Sequence, residues 1–292
     1  MKIQRSFSSD EEVGTVYAVP TPIGNLEDIT FRALKTLETV SVIAAEDTRN
    51  TQKLLQHFDI PTPLVSYHEH NKENRGRELL SRLEKGESIA VVSDAGMPVI
   101  SDPGYELMTA AIAADYPAVA LPGANAALCA LVGSGLSSDE FLFYGFLPRK
   151  KKEKEAELER LKPLSATLLL YESPYRIKDT LTMIKATLGN RPIAIARELT
   201  KKFEEYTRGT AAELLDWADE TAMKGEFCLV IEGNAGDSEQ GSDLWWSHLS
   251  VVEHVRYYID ETGYTSKEAI KRAALDRKMA KRDVYQAFHI DQ

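Results

Sequence analysis

Cysteine is scarce in this chain. Cys129 and Cys228 are the only two among 292 residues, and both lie in apolar segments. Buried thiols are therefore expected, rather than a disulfide framework or a thiolate metal site. Long apolar runs are missing as well. None approaches the roughly 20 residues that a spanning helix requires, and residues 1–12 are polar and acidic, unlike a signal peptide. These absences predict a cytoplasmic protein with no membrane partner. Neither G-x-G-x-x-G nor G-x-x-x-x-G-K-[ST] occurs, which argues against a standard dinucleotide or nucleoside-triphosphate site. Positive charge is in deficit, with 35 Lys and Arg against 45 Asp and Glu and a net charge of −10. That balance argues mildly against nucleic acid as a partner and leaves such contacts to local patches.

What is present is organised around residues 88–126. Ile89-Ala90-Val91-Val92 has the length and β-branched content of a buried strand, and it stops at Ser93-Asp94. A loop rich in Gly and Pro comes next, through Gly96, Pro98, Pro103 and Gly104. A helix pattern starts near Tyr105, and a second buried strand, Ala118 to Leu121, ends in Pro122-Gly123, with Asn125 placed to cap another helix. Both loops leave the carboxyl ends of strands, where open α/β sheets hold their ligands. Their small residues let backbone approach a ligand closely. The fold class expected is α/β.

The rest of the chain repeats this pattern. Strands are predicted at 15–19, 40–45, 141–147, 166–171, 192–196 and 225–231, with an antiparallel edge strand at 206–210. Residues 1–13 are expected to be disordered. A first α/β domain is expected over 14–136, ending in the glycine-rich break at 133–138, and a second over 137–234. A linker is expected over 235–243 by composition, and a small helical domain over 244–292. His68-Glu69-His70 lacks an apparent third ligand, so no metal is expected. Arg149, Lys150, Lys151, Lys152 and Lys154 make five of six neighbouring residues basic. A solvated helix start is one reading and a phosphate-contacting patch the other; the position at a strand exit between two domains favours the second. In the tail, Thr265-Ser266-Lys267-Glu268 is a capping-box signature. Lys267, Lys271, Arg272, Arg277, Lys278, Lys281 and Arg282 surround it against only Glu268 and Asp276. This pattern is similar to a helix-turn-helix unit, with a dimer-packing bundle as the alternative.

Several stretches carry a resemblance to a known family. TPIGNLEDIT, AEDTR, SYHEHN, SDAGMP with ISDPG, LPGANAA, GFLPRKK, YESPYR and RELTKKFEE occur in that order. Together they resemble the ribosomal RNA small subunit methyltransferase I family of the tetrapyrrole (corrin/porphyrin) methylase superfamily. Three positions depart from its pattern. Met97 stands where Thr is usual, Asn125 where Ser is usual and Tyr175 where His is usual. Asn125 keeps hydrogen-bonding ability, whereas Met97 has no hydroxyl to offer a cofactor.

The resemblance implies two α/β domains with S-adenosylmethionine in the cleft between them, a homodimer, and the basic helical tail. It implies 2′-O-methylation of a cytidine in the decoding region of 16S ribosomal RNA. YHEHN is read as a substrate-side loop. Cofactor contacts are expected from Pro20, from Ser93, Asp94, Ala95, Gly96, Pro98, Ile100 and Ser101, and from Gly123, Ala124, Asn125 and Ala126. Tyr171, Glu172, Glu198, Gly225 and Glu226 are expected to complete the cofactor site. For catalysis, Asp47 or Glu46 is a candidate proton acceptor, and Lys201 or Arg49 a candidate stabiliser of negative charge. RNA contacts are expected from Arg149, Lys150, Lys151 and Lys152 and from the basic residues of the tail. The alternatives are a tetrapyrrole carbon methylase, or a non-catalytic ribosome- or RNA-binding protein that retains the fold.

Overall fold

The computed structural model of the chain describes residues 3–4, 13–234, 246, 248–277 and 279–289. Most of the segment expected to be disordered, the whole expected linker and Lys278 lie outside the described residues. The chain divides into two compact units, the first ending at Asn234 and the second comprising the remaining residues.

The first unit holds two five-stranded sheets. One is built from β1 (Val16–Ala18), β2 (Val42–Ala45), β3 (Leu64–Ser66), β4 (Ile89–Val92) and β5 (Ala118–Ala120). Its order is β3-β2-β4-β1-β5, with every pairing parallel. Helices α1 (Phe31–Thr39), α2 (Thr48–His57), α3 (Lys72–Glu84) and α4 (Tyr105–Ala113) connect the strands. The strands are nearly all apolar because both faces are covered. Ile43, Ala45, Ala90 and Val92 pack with Leu37 of α1 on one face. Val42, Ala44, Ile89 and Val91 pack with Leu79, Leu83 and Leu107 of α3 and α4 on the other.

Helix α5 (Ala126–Ser134) leads to the second sheet, formed by β6 (Phe141–Phe146), β7 (Thr167–Glu172), β8 (Pro192–Arg197), β9 (Glu205–Thr210) and β10 (Phe227–Ile231). Its order is β6-β7-β10-β8-β9. β6 and β7 are parallel, and the other pairs are antiparallel, including the expected edge strand β9. Period-two alternation divides its faces. Leu168, Leu170, Ile193, Ile195, Leu229 and Ile231 face a core shared with α6 (Lys151–Leu161), α7 (Ile177–Leu188) and α8 (Ala211–Glu220). Each such fully buried aliphatic side chain stabilises the fold by about 1.5–3 kcal/mol. The intervening Leu169, Ala194, Ala196, Cys228 and Val230 face Ala127, Ala130 and Leu131 of α5.

α5, which falls in the first expected domain, lies against the second sheet. Small residues explain this: alanines on α5 and on β8 let the helix approach the sheet closely. Cys228 is buried as expected, but Cys129 is exposed, because it lies on the face of α5 turned away from that sheet.

The second unit contains α9 (Val251–Asp260), α10 (Ser266–Asp276) and α11 (Lys281–His289). Val255, Ala269, Ile270, Ala273, Ala274 and Val284 form its core. The Thr265–Glu268 capping box is present, and a second one joins Ser250 to Glu253. Among the described residues no helix is long and apolar enough to cross a membrane.

Candidate active site

The carboxyl ends of β2, β4 and β5 meet those of β6, β7 and β8 around a cavity of about 500 Å³, within the range of small-molecule sites, roughly 300–1,000 Å³. Glu46 follows β2 on its wall, residues 94–97 and 100–102 follow β4, and Asn125 and Ala126 open α5. Phe146, Tyr171 and Glu172 end strands of the second sheet, and residues 225–228 enter β10. Ile23, from the loop after β1, completes an apolar side with Met97, Ile100 and Leu199.

Close backbone contacts fix these loops. Thr21 and Gly96 exchange two backbone hydrogen bonds of 3.0 Å, which tie the loop after β1 to the loop after β4. Gly96 has φ +80°, a conformation that glycine adopts without strain. Val99 and Ser101 beside it, and Glu198 and Thr200 across the cavity, also have positive φ. Four of the six such non-glycine residues among the described residues thus lie in the two loops that supply Ile100, Ser101 and Leu199 to the wall, with a strain of about 1–3 kcal/mol each. A β-bulge between Phe143 and Gly145 shifts the phase of β6. Leu142 before it and Tyr144 within it pack on the α6–α8 core; after it, Leu147 does. Phe146 is therefore turned to the cavity side, where its ring lies 5.6 Å from that of Tyr171.

The polar part of the wall is acidic. Burial raises the Glu46 carboxyl above its ordinary value, helped by the charges of Asp94 and Asp47. Burial, then the charges of Glu46 and Asp94, pushes Asp102 up to about 7. Three carboxylates on one cavity wall suit a cationic occupant, and backbone-rich loops beside an apolar side suit a nucleoside. The residues present therefore fit S-adenosylmethionine, whose sulfonium is positive. Among the described residues no group of three or more His, Cys, Asp or Glu side chains is placed to hold a metal ion.

Of the expected cofactor residues, Asp94, Ala95, Gly96, Ile100, Ser101, Asn125, Ala126, Tyr171, Glu172, Gly225 and Glu226 line the cavity. Others stand behind it. Pro20 packs on Gly123, where an added Cβ would lie 2.5 Å from the proline Cβ. Ser93 is buried, with its hydroxyl turned to the Gly96 carbonyl, and Pro98 is buried too. Ala124 is not among the lining residues; its carbonyl lies 3.5 Å from where a Cβ on Gly96 would be. Glu198 accepts from the Glu226 amide at 3.0 Å and so holds the 225–226 turn. The Asn125 side chain accepts from Leu128 N as the cap of α5.

The catalytic candidates separate clearly. Glu46 lies on the wall. Asp47 does not: it caps α2 and takes a fork from Arg49, at 3.0 Å from Nε and 2.6 Å from Nη2. That guanidinium lowers its carboxyl to about 2. Arg49 is spent on the same pair, with its side chain 85% exposed. Lys201 is also off the wall, held by Glu198 and Glu226 at 3.0 Å each. Burial pulls its pKa down, but the two carboxylates outweigh that and leave it raised, so the ammonium is retained. Asp102 is the acidic wall residue that was not expected from the sequence, and the apolar Ile23, Met97, Phe146 and Leu199 were not expected either. The signal for Asp102 is the second acid of SDAGMPVISDPG, visible there only as one of several loop polar groups.

Two RNA-contact expectations change. Lys154 is buried, not presented with Arg149, Lys150, Lys151 and Lys152, which are exposed. Arg277 donates to His254 Nδ1 at 3.0 Å and to the Trp246, Leu249 and Ser250 carbonyls, and it covers the Trp246 ring. It braces its own unit. Lys267, Lys271, Arg272, Lys281 and Arg282 are exposed.

Comparison with known proteins agrees with this geometry. Residues 15–215 match the family of Tetrapyrrole (Corrin/Porphyrin) Methylases. Ribosomal RNA small subunit methyltransferase I of Halalkalibacterium halodurans is 55% identical over 289 residues, covering 99% of each chain. The Bacillus subtilis protein of that name is 53% identical over 292 residues, covering both chains completely. Among solved structures, uroporphyrin-III-C-methyltransferase from Thermus thermophilus superposes with a TM-score of 0.52 at 22% identity, over 74% of this chain and 94% of its own. A diphthine synthase superposes with a TM-score of 0.58 at 11% identity, over 75% and 90%. These two likenesses show the fold alone. The chain is a methyltransferase of the tetrapyrrole methylase superfamily and belongs to its ribosomal RNA small subunit methyltransferase I family.

Proposed function

We propose that the chain transfers a methyl group from S-adenosylmethionine to the ribose 2′-hydroxyl of a cytidine in the decoding region of 16S ribosomal RNA, in the cytoplasm. The observation that carries this reading is the acidic, glycine-lined cavity between the strand ends of the two sheets. The names of relatives that match along the whole chain support small-subunit RNA as the substrate. When bound, S-adenosylmethionine supplies a methyl group already activated by positive sulfur. The protein's task is then alignment and charge. Backbone of residues 94–97 and the start of α5 hold the cofactor, with Phe146 and Tyr171 as its apolar wall. Glu46 and Asp94 complement its charge. Asp102 accepts the ribose proton at its carboxylate, a role its pKa suits at neutral pH. Lys201 stays protonated behind Glu226 and offsets the surplus negative charge.

The test is a labelled-methyl transfer assay on 30S subunits, naked 16S RNA and a tetrapyrrole precursor, followed by nuclease digestion and mass spectrometry. The reading expects 2′-O-methylcytidine from an RNA substrate only. Label in the tetrapyrrole, or on a base, rejects it.

The RNA must be gripped by localised positive surface, which Arg149 to Lys152 and the exposed tail cations provide. Each phosphate contact steepens the salt dependence of binding, by about 0.9 in the logarithmic slope. Reversing Lys151 and Lys152 to Glu together should flatten the slope for 30S binding by about 2, as read by filter binding over a salt series. An unchanged slope would remove this patch from the interface.

A homodimer is part of the same proposal. α5 is apolar on all sides, and Leu128 and Val132 are exposed, Val132 to 84%. An all-round apolar helix with an open face calls for a partner. Val132→Glu should weaken self-association about thirtyfold, the effect of burying a charge at about 2 kcal/mol. Sedimentation velocity checks this, with circular dichroism to confirm the fold.

A further inference from the structure

The basic stretch after β6 is anchored on both sides by one buried network, and the centre of that network is the cavity wall. The Glu172 side chain is 1% exposed. Its Oε1 accepts from the Ser173 amide at 2.8 Å and lies 3.2 Å from Arg176 Nε; its Oε2 accepts from Thr180 Oγ1 at 2.6 Å. On one side, Arg176 Nη2 donates to the carbonyls of Leu147 at 2.8 Å and Pro148 at 3.3 Å, immediately before Arg149. On the other side, Lys154 Nζ donates to Thr180 Oγ1 at 3.2 Å and to Asp179 at 2.6 Å. The exposed cations 149–152 therefore lie between two fixed points. Both points lead back to the same carboxylate.

Packing alone does not call for this arrangement. Lys154, Leu158 and Leu161 form the buried stripe of α6, a spacing that asks for an apolar residue at 154. Burying the Lys154 ammonium, whose partner Asp179 stays exposed, carries a desolvation cost that an apolar side chain of the same volume would not. What the network does provide is placement. Four cations on a loosely held segment would lose much of their grip to the entropy of ordering it, and a preformed segment avoids that loss.

We propose that Arg176 and Lys154 are positioning residues that set the phosphate-gripping cations at a fixed distance from the cofactor cavity, through Glu172. This rests on the RNA reading above. Neither residue contacts the reacting groups; both act through residues 149–152.

The test uses the full chain as wild type, Lys154→Met, Arg176→Met and Arg176→Lys. Three quantities are measured: cofactor affinity by calorimetry, and KM for 30S subunits and kcat from methyl transfer. Lys154→Met and Arg176→Met should each raise KM for 30S subunits about tenfold, an effect of the size seen for residues that couple sites. kcat and cofactor affinity should stay within about twofold. Arg176→Lys keeps the charge but not the planar fork, so its KM should remain raised. Two results overturn the proposal. One is an unchanged KM in both Met variants. The other is a fall in kcat and in cofactor affinity alongside the raised KM, the mark of a merely structural role. Wild-type protein that methylates neither 30S subunits nor naked 16S RNA rejects the RNA reading itself, and this proposal with it.

Discussion

Gly96→Val should abolish S-adenosylmethionine binding while leaving both sheets folded. Gly96 lines the cavity at φ +80°, and a Cβ there would sit 3.1 Å from Ile23 Cγ2 and 3.5 Å from the Ala124 carbonyl. A β-branched residue in that conformation is strained by about 1–3 kcal/mol, less than the roughly 5–15 kcal/mol that holds a domain together. The strain relaxes by moving the loop, and the loop is the cofactor's backbone cradle. A hundredfold or greater loss of affinity is expected, about 2.7 kcal/mol or more. Ala126→Phe is the independent control. It fills the same cavity from the first turn of α5, which is not strained, and should have the same effect. Calorimetry showing near-native affinity in both variants would mean that the cofactor binds elsewhere.

Asp102→Asn should lower kcat by about a hundredfold or more, the usual contribution of a positioned general base, with cofactor affinity changed far less. The pH profile separates this from simple damage. Asp102 is pushed up to about 7, so the wild-type rate should rise as pH increases through that region and the carboxyl loses its proton. A bound sulfonium favours the ionised form and moves the rise to lower pH. The Asn variant should lose that limb. Stability moves in the opposite sense. A carboxyl raised in the folded state favours folding below its unfolded value, 3.8, and that contribution is lost as pH rises through about 7. At pH 8 the Asn variant should therefore melt at a higher temperature than wild type, with the difference shrinking as pH falls towards 4. A variant with an unaltered rate and the same pH limb would transfer the role of base to Glu46, the other raised carboxyl on the wall.

Much of this molecule is legible in its residues. Runs such as VIAA and IAVV are short, apolar and rich in β-branched residues, which suits strands covered on both faces; they form β2 and β4. Gly and Pro after the IAVV run mark a loop that lines the cavity. Asn125, Asp47 and Thr265 are recognisable as helix caps from local chemistry alone, because a cap is satisfied within three or four residues.

Tertiary structure decided what depends on contacts remote in sequence. The fork on Asp47 comes from Arg49, two residues on, whereas only the fold brings the carboxylates of Glu46 and Asp94 against Asp102. Phe146 reaches the cavity because a bulge just before it shifts the strand's alternation, and local propensity carries no register. Lys154 and Arg277 read as surface cations by residue type, yet their partners come from α7 and from α9 with the segment before it. A side chain's period along a helix or strand is set by its neighbours in the chain. The charge it faces is set by whatever the fold brings against it.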